Sequence, residues 1–227
     1  MTLFRTVLLT CGLVLTACGG AAVAQSAAPG APGSAATKPM LTLQMPAFPD
    51  PVPVVLKGGT TAMFVLDIVD PICASQPKCM GGMMPAIAAL LARARKAGVS
   101  VVYATRAPNM SKWLPEVAPA PGDTTIVSNA QDRFYNTDLD KTLKAKGITT
   151  LILTGWKVSG SVLYTSIGAS LRDYTNVVPV DASLAATDYE TAIGVFQILN
   201  QNSANPTNTP LKPKATTLSR TDMITFQ

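Results

Sequence analysis

Apolar runs of strand length alternate with segments of helical periodicity through most of this chain, and that alternation constrains its fold more than any other feature. The apolar runs are 61–67, 99–104, 125–128, 148–154, 176–180, 215–219 and 223–226. The segments with helical spacing are 85–96, 137–146, 161–174 and 187–200. Strands that are apolar throughout are typical of a parallel sheet covered by helices on each side. The pattern therefore predicts an α/β fold, a three-layer Rossmann-like parallel sheet with helices on both faces.

Local residue patterns predict where some of these helices begin and which face they bury. The run Thr187-Asp188-Tyr189-Glu190 has the pattern of a capping box and predicts a helix start. Thr137 is expected to cap the helix that runs to Lys146. One face of the segment 161–174 collects its apolar side chains, Leu163, Ile167, Leu171 and Tyr174. We expect that face to be buried.

The N-terminus has the pattern of a bacterial export signal. Met1–Arg5 carries one positive charge, and the apolar run Thr6–Ala17 follows it. That run of 12 residues is too short to span a membrane, which takes about 20 residues. Leu15-Thr16-Ala17-Cys18 has the form of a lipobox, in which Cys18 is lipidated and becomes the new N-terminus, whereas Ala22-Val23-Ala24 has the form of an ordinary cleavage site.

The lipobox is the favoured interpretation because Cys18 directly follows the apolar run. It makes residues 1–17 a signal peptide and residues 18–39, which are rich in Gly, Ala, Ser and Pro, a flexible tether. Residues 40–227 are then the folded domain. The protein is expected in the bacterial cell envelope, facing the periplasm and attached to the membrane through a lipid on Cys18.

Two cysteines remain outside the leader, and they predict a disulfide. Cys11 lies in the signal peptide and Cys18 is the predicted lipidation site that follows it, whereas Cys73 and Cys79 lie in the domain. In an oxidising compartment the simplest expectation is a bond between Cys73 and Cys79. The sulfur-rich run 79–84 leaves a Cu(I) site open as an alternative.

The chain contains no histidine, which excludes several classes of site. A Ser-His-Asp triad, a Cys-His pair and a His-ligated zinc site are impossible, and no metal or cofactor is predicted. The net charge of +5 is mild and most of the basic residues are scattered. This distribution gives no reason to expect a nucleic-acid partner.

Ligands of parallel α/β sheets bind at the carboxyl ends of the strands, so the residues that follow each strand are candidates. They are Asp67, Arg106, Ser128, the segment 155–161 and Asp181. Trp156, Lys157, Val158 and Arg106 are predicted to contact a small-molecule substrate. Ser161 stands where the next helix begins, and Arg133 is expected either to bind an acidic ligand or to form a surface salt bridge.

These pieces resemble the isochorismatase-like family, the wider cysteine-hydrolase group that includes nicotinamidases and N-carbamoylsarcosine amidases. The matching segments are the strand that ends in Asp67, the strand 98–105, the run 132–139, the glycine-bounded strand 147–155 and the pieces 162–165 and 179–181. The resemblance covers about residues 50–200. It implies the three-layer fold and hydrolysis of a small amide or an enol ether.

The resemblance also implies roles for three residues. The family's chemistry uses an Asp at the end of the first strand, which matches Asp67. Its Lys lies about six residues before Phe134, which is Ser128 here, and its Cys lies four residues before Thr165, which is Ser161 here. We therefore predict Asp67, Ser161 and Ser128 as the catalytic positions of an altered site.

Three further expectations come from the resemblance alone. The family's non-proline cis peptide corresponds to a bond near Trp156–Lys157, and the nicotinamidase metal site is absent because its histidines are absent. Homo-oligomer formation is suggested only by analogy. Two functions stay open: a hydrolase with an altered site, or an inactive family member that binds a small molecule or serves as an interaction scaffold.

Overall fold

The structure, a computed structural model, describes residues 42, 44, 45, 47–106, 112–201 and 203–227. The predicted leader, the lipidation site Cys18 and the tether 18–39 lie outside the described residues, so these stay predictions. Among the described residues, no helix is both long and apolar enough to cross a bilayer. The compact unit of the chain is Pro46–Gln227.

The unit is built on a six-stranded, wholly parallel sheet with the strand order β4-β3-β2-β5-β6-β7. Its strands are β2 (Thr61–Leu66), β3 (Ser100–Thr105), β4 (Thr124–Val127), β5 (Thr150–Gly155), β6 (Thr175–Pro179) and β7 (Thr216–Ser219). The strands β1 (Val54–Leu56) and β8 (Ile224–Phe226) pair in parallel with each other as a separate ribbon. The apolar runs predicted every strand of the large sheet to within one or two residues, whereas β1 was missed.

Helices cover both faces of the large sheet. They are α1 (Asp70–Cys73), α2 (Met84–Lys96), α3 (Leu139–Ala145), α4 (Leu163–Ser170) and α5 (Asp188–Asn200). On one face, α2 packs through Ile87 and Leu91 against a core that includes Met63 of β2. On the other, α3, α4 and α5 share a core with Phe64 of β2. The predicted three-layer α/β fold is confirmed.

Local predictions about the helices were partly wrong. Thr187 accepts a hydrogen bond from the Glu190 backbone N–H at 3.1 Å, so the predicted cap of α5 is confirmed. Thr137 does not cap α3, because its hydroxyl donates to the Arg133 carbonyl at 2.7 Å and the helix begins at Leu139. Leu171 was expected on the buried face, but its side chain is 64% exposed. The helix α4 ends at Ser170, although the helical spacing of apolar residues continues beyond it in the sequence.

The predicted disulfide is present, with the Cys73 and Cys79 Cα atoms 5.4 Å apart, inside the usual range for a disulfide. Both thiols are used in this bond, so Cys79 is not available as a Cu(I) ligand. Met83, which belongs to the same run, is buried and its sulfur accepts the Leu184 backbone N–H at 3.3 Å. Two of the sulfur atoms in this run are therefore engaged in other contacts, which disfavours the copper alternative.

Candidate functional site

A cleft of about 290 Å³ opens at the carboxyl ends of the central strands. Its lining residues are Asp67, Ile72, Arg106, Gln131, Trp156, Lys157, Gly160 and Ser161. Asp67 follows β2, Arg106 follows β3 and Trp156 follows β5, and these three strands are neighbours in the sheet. The cleft therefore lies where the strand-end argument predicts a ligand site.

Asp67 turns the chain out of β2 into the cleft wall. Its φ of 56° lies in the left-handed region, which aspartate tolerates better than most residues. Its backbone N–H donates to the Ala104 carbonyl at 2.9 Å, which continues the pairing with β3 by one residue. The side chain is almost fully buried, so a carboxylate is held at the bottom of the cleft.

The segment after β5 approaches β2 closely and brings Ser161 to Asp67. Gly155 has a φ of 132°, and the Trp156 backbone N–H donates to the Leu66 carbonyl at 2.9 Å. The Trp156–Lys157 peptide bond is cis, at the position that the family resemblance implied. A helical turn (Val158–Val162) then leads into α4 and carries Ser161, whose hydroxyl donates to Asp67 Oδ2.

Arg133 is the largest fully buried side chain of the described residues, and its guanidinium joins the two predicted catalytic groups. Its Nη2 donates to Asp67 Oδ2 at 2.5 Å and to Ser161 Oγ at 3.0 Å. Its Nη1 donates to the carbonyls of Ser128 at 2.7 Å and Ala130 at 3.0 Å. The expectation of a surface salt bridge is wrong, because both side chains of this ion pair are almost fully buried.

Burial raises the pKa of Asp67 above its ordinary value, although Arg133, the Ser161 hydrogen bond and Arg106 all favour its charged form. Arg133 and Ser161 both contact Oδ2. The other oxygen, Oδ1, is buried and has no hydrogen-bond partner among the described residues. Asp67 thus has one oxygen held by its neighbours and one available for a proton.

Lys157 lines the cleft, but its charge is balanced by a carboxylate on α5. Its ammonium group pairs with Glu190, and Ser159 Oγ donates to the same Glu190 oxygen at 2.8 Å. The hydrogen bond from Lys157 holds the pKa of Glu190 below its usual range. This contact ties the turn that carries Ser161 to the N-terminus of α5.

The structure corrects two of the predicted site residues. Ser128 does not line the cleft, because its Oγ accepts the Ala130 backbone N–H at 3.3 Å and its carbonyl binds Arg133. Val158 is fully buried in the apolar core beside α5 and does not line the cleft either. Neither residue is among those that line the cleft, and the Ser128 carbonyl supports Arg133 behind it.

The remaining predicted residues, Asp67, Ser161, Trp156, Lys157 and Arg106, do line the cleft. Sequence reasoning missed Ile72 and Gln131 and undervalued Arg133. Ile72 precedes the disulfide cysteine in α1, a position that carries no functional signal. Arg133 offered a signal, because it directly precedes Phe134 within a segment that the family resemblance had already singled out.

The parallel six-stranded sheet with helices on both faces is a Rossmann-like α/β fold, and its carboxylate and hydroxyl lie at the carboxyl ends of the strands, where such folds bind small molecules. Comparison with known proteins gives the family: the isochorismatase domain matches residues 61–209. The chain belongs to the isochorismatase family.

Relatives and solved structures agree with this family. The ureidoacrylate amidohydrolase RutB of Methylobacterium radiotolerans is 39% identical over 67 residues, which cover 30% of this chain and 26% of that protein. The isochorismatase family protein YwoC of Bacillus subtilis is 30% identical over 80 residues, covering 35% of this chain and 42% of that protein. The matched segments thus span between about a quarter and two fifths of these relatives.

The fold is similar to that of solved family members. An isochorismatase family protein from Burkholderia thailandensis has a TM-score of 0.62 at 21% identity, covering 76% of this chain and 96% of that one. N-carbamoylsarcosine amidase from Thermoplasma acidophilum has a TM-score of 0.59 at 22% identity, covering 72% and 97%. At these identities the likeness shows the fold.

Proposed function

We propose that this chain is an envelope hydrolase that acts on a small amide or enol-ether substrate in the cleft at Asp67. One observation carries the proposal: a buried carboxylate with a raised pKa and an unpartnered oxygen stands in a cleft beside a hydroxyl. Burial raises the pKa of this carboxyl group, which makes it better suited to proton transfer than an ordinary surface aspartate. The volume of the cleft, about 290 Å³, suits a small molecule.

The site is altered relative to the family's cysteine chemistry. Ser161 stands at the position of the cysteine nucleophile and Ser128 at that of the lysine, by the spacing from Thr165 and Phe134. A thiol ionises with a pKa of about 8.5, whereas a serine hydroxyl needs a strong base to become a nucleophile. The oxygen of Ser161 also accepts a hydrogen bond from Arg133, which draws electron density from it.

Asp67 is therefore the group on which either reaction depends. With an enol ether, its carboxyl proton moves to the double-bond carbon, water adds to the resulting cation, and breakdown to a carbonyl compound and an alcohol returns the proton to Asp67. With an amide, Asp67 takes a proton from the attacking water and passes it to the departing amine, and the acyl group leaves as the carboxylic acid. Both schemes use only groups that line the cleft.

A second candidate function is binding without turnover. The observation that favours it is the closed set of contacts at Ser161, whose hydroxyl donates to Asp67 and accepts from Arg133. A hydroxyl occupied in both directions is a poor nucleophile, but the cleft beside it can still hold a polar small molecule.

Turnover by the purified protein on a panel of small amides, carbamoyl compounds and enol ethers, followed by mass spectrometry, tests the proposal. We expect the wild type to convert at least one of them, and Asp67→Asn to be slower by about 100-fold or more because proton transfer is lost. Asp173→Asn, at an exposed aspartate, should match the wild type. Circular dichroism at the assay temperature checks that each variant is folded.

Failure of the wild type on the whole panel, or equal rates in Asp67→Asn, would contradict the hydrolase proposal. Binding of panel compounds without turnover, measured by calorimetry, would then support the second candidate.

We also propose that the protein is held at the envelope membrane by a lipid on Cys18, which rests on the lipobox pattern alone. Expressed with its leader in a bacterial host, the wild type should enter the detergent phase of a Triton X-114 partition, because an acyl anchor is strongly apolar. Cys18→Ala should move it to the aqueous phase. Cys11→Ala is the matched control and should partition as the wild type does. Equal partitioning of the wild type and Cys18→Ala would contradict the proposed lipid anchor.

A further inference from the structure

The guanidinium of Arg133 lies between the two groups that the proposed reaction uses. It is fully buried, and a single nitrogen, Nη2, contacts both Asp67 Oδ2 and Ser161 Oγ. A buried cation is costly unless it is paired and hydrogen-bonded, so such a side chain is kept in place by its contacts. These contacts are to the two side chains, Asp67 and Ser161, that the proposed reaction places at the centre of the site.

The loop that precedes Arg133 is shaped around its side chain. The carbonyls of Ser128 and Ala130 both accept hydrogen bonds from Nη1, and the Arg133 backbone N–H donates to Thr165 Oγ1 of α4 at 3.3 Å. The Ser128 carbonyl therefore accepts a hydrogen bond from the Arg133 guanidinium, whereas the Ser128 side chain carries no charge of its own. The cation reaches the site from a position five residues further along the chain.

We propose that Arg133 is the fixed cation of this active site, a positioning residue that replaces the family's lysine from a different position in the chain. The inference rests on the proposed function for the reaction that it serves. Arg133 holds the Oδ2 edge of Asp67, stabilises negative charge on the Asp67–Ser161 pair and leaves Oδ1 to exchange the proton.

The replacement of lysine by arginine has a chemical consequence. A guanidinium stays protonated at any pH at which the protein is folded, whereas a buried lysine can lose its proton. Other charged groups surround the site. Arg106, in the cleft, lowers the pKa of Asp67, and Arg133 lowers the pKa of Asp132. The Lys157 ammonium group forms an ion pair with Glu190. Burial raises the pKa of both Asp67 and Asp132, and Asp67 is the one of the two that lines the cleft.

A cysteine at position 161 reports on this cation without any substrate. The background is the full-length chain with Cys11→Ser and Cys18→Ser, in which Cys73 and Cys79 are joined in the disulfide. In this background Ser161→Cys places one free thiol against Arg133, and its rate of alkylation by iodoacetamide is measured against pH. The background without Ser161→Cys is the blank.

With Arg133 in place we expect the midpoint of alkylation to fall below about 8.5, the pKa of a free cysteine, because a neighbouring guanidinium favours the thiolate. Adding Arg133→Met should raise the midpoint by about one pH unit or more, and Arg133→Lys should restore most of the difference. Adding Ser128→Lys and Arg133→Ala together should also keep the midpoint low, because the lysine then supplies the charge from position 128.

A midpoint above that of free cysteine with Arg133 present would overturn the proposal, and so would the same midpoint with and without Arg133. If Arg133→Met does not fold, the Ser161→Cys single variant and the Ser128→Lys/Arg133→Ala combination still decide, and a high midpoint in either contradicts the inference. No substrate enters the measurement, so its failure is distinct from failure of the proposed turnover.

Discussion

Replacement of Asp67 by asparagine is expected to lower the free energy of unfolding by about 3–5 kcal/mol, because it leaves the Arg133 guanidinium buried without a counter-charge. The pair is enclosed, with both side chains almost fully inaccessible to solvent. Asparagine fits the backbone at this position, because it tolerates the left-handed φ of 56°. The decrease in unfolding free energy therefore measures the loss of the ion pair and not a change in backbone strain. Chemical denaturation of the wild type and the variant measures it.

Asp173→Asn is the matched control for this prediction. Asp173 also has a positive φ, 73°, and also pairs with a cation, Lys214 at 2.7 Å, but its side chain is 70% exposed. Exposed ion pairs contribute between about 0 and 1 kcal/mol, so the loss at this site should stay within that range. If the two variants lose similar amounts of unfolding free energy, Arg133 is not a buried cation that depends on Asp67 for its counter-charge.

Replacement of Gly155 by alanine is the second large effect, with an expected loss of more than about 4 kcal/mol or failure to fold. A Cβ at this position would lie 2.1 Å from the Leu66 carbonyl oxygen, and the φ of 132° is strained for any L side chain. The clash is with the backbone of the adjacent central strand, which cannot move aside without breaking the pairing between β2 and β5. Denaturation curves, or yield of folded protein by circular dichroism, give the measurement.

Substitutions at two other glycines separate the effect of the steric clash from that of the backbone conformation. Gly147 has a φ of 69° but open space around its Cβ direction, so Gly147→Ala should cost only about 1–2 kcal/mol for the left-handed backbone. Gly59 has neither an unusual φ nor a close neighbour, and Gly59→Ala should be nearly neutral. The graded order Gly155, Gly147, Gly59 is the expected result. A loss at Gly155 no greater than that at Gly147 would show that the close approach does not matter.

The close approach at Gly155 is also what assembles the site. The Trp156 backbone N–H binds the Leu66 carbonyl, one residue before Asp67, so the segment that leads to Ser161 starts beside the carboxylate. Any side chain at position 155 would push these two segments apart. The same glycine therefore supports both the stability of the sheet and the Asp67–Ser161 contact.

The sheet could be predicted from the sequence because its strands are apolar on both faces. The residues of β2 are buried throughout, so the run has no polar alternation that would confuse its assignment. The ribbon strand β1 has an exposed residue, Val55, between two buried ones and is only three residues long, which leaves too weak a pattern. Leu171 was misplaced because helical spacing continues in the sequence after α4 itself has ended.

The site could be predicted in its positions but not in its contacts. Asp67 and Ser161 follow from strand ends and family spacing, and both line the cleft. The role of Arg133 could not follow from spacing, because an arginine side chain reaches far from its own backbone and the loop 128–133 folds around it. The serine at position 128 was visible in the sequence, whereas the contacts of Arg133 with Asp67 and Ser161 were visible only in three dimensions.

The most direct test of the central claim, that this cleft is where a substrate is bound and turned over, is a crystal structure of the wild type soaked with the substrate or product that the panel identifies. We predict density in the cleft beside Trp156, with the reacting carbon or its leaving atom within hydrogen-bond or contact distance of the Asp67 carboxyl group and Ser161. Density for the ligand elsewhere on the molecule, with the Asp67 cleft empty, would contradict the account.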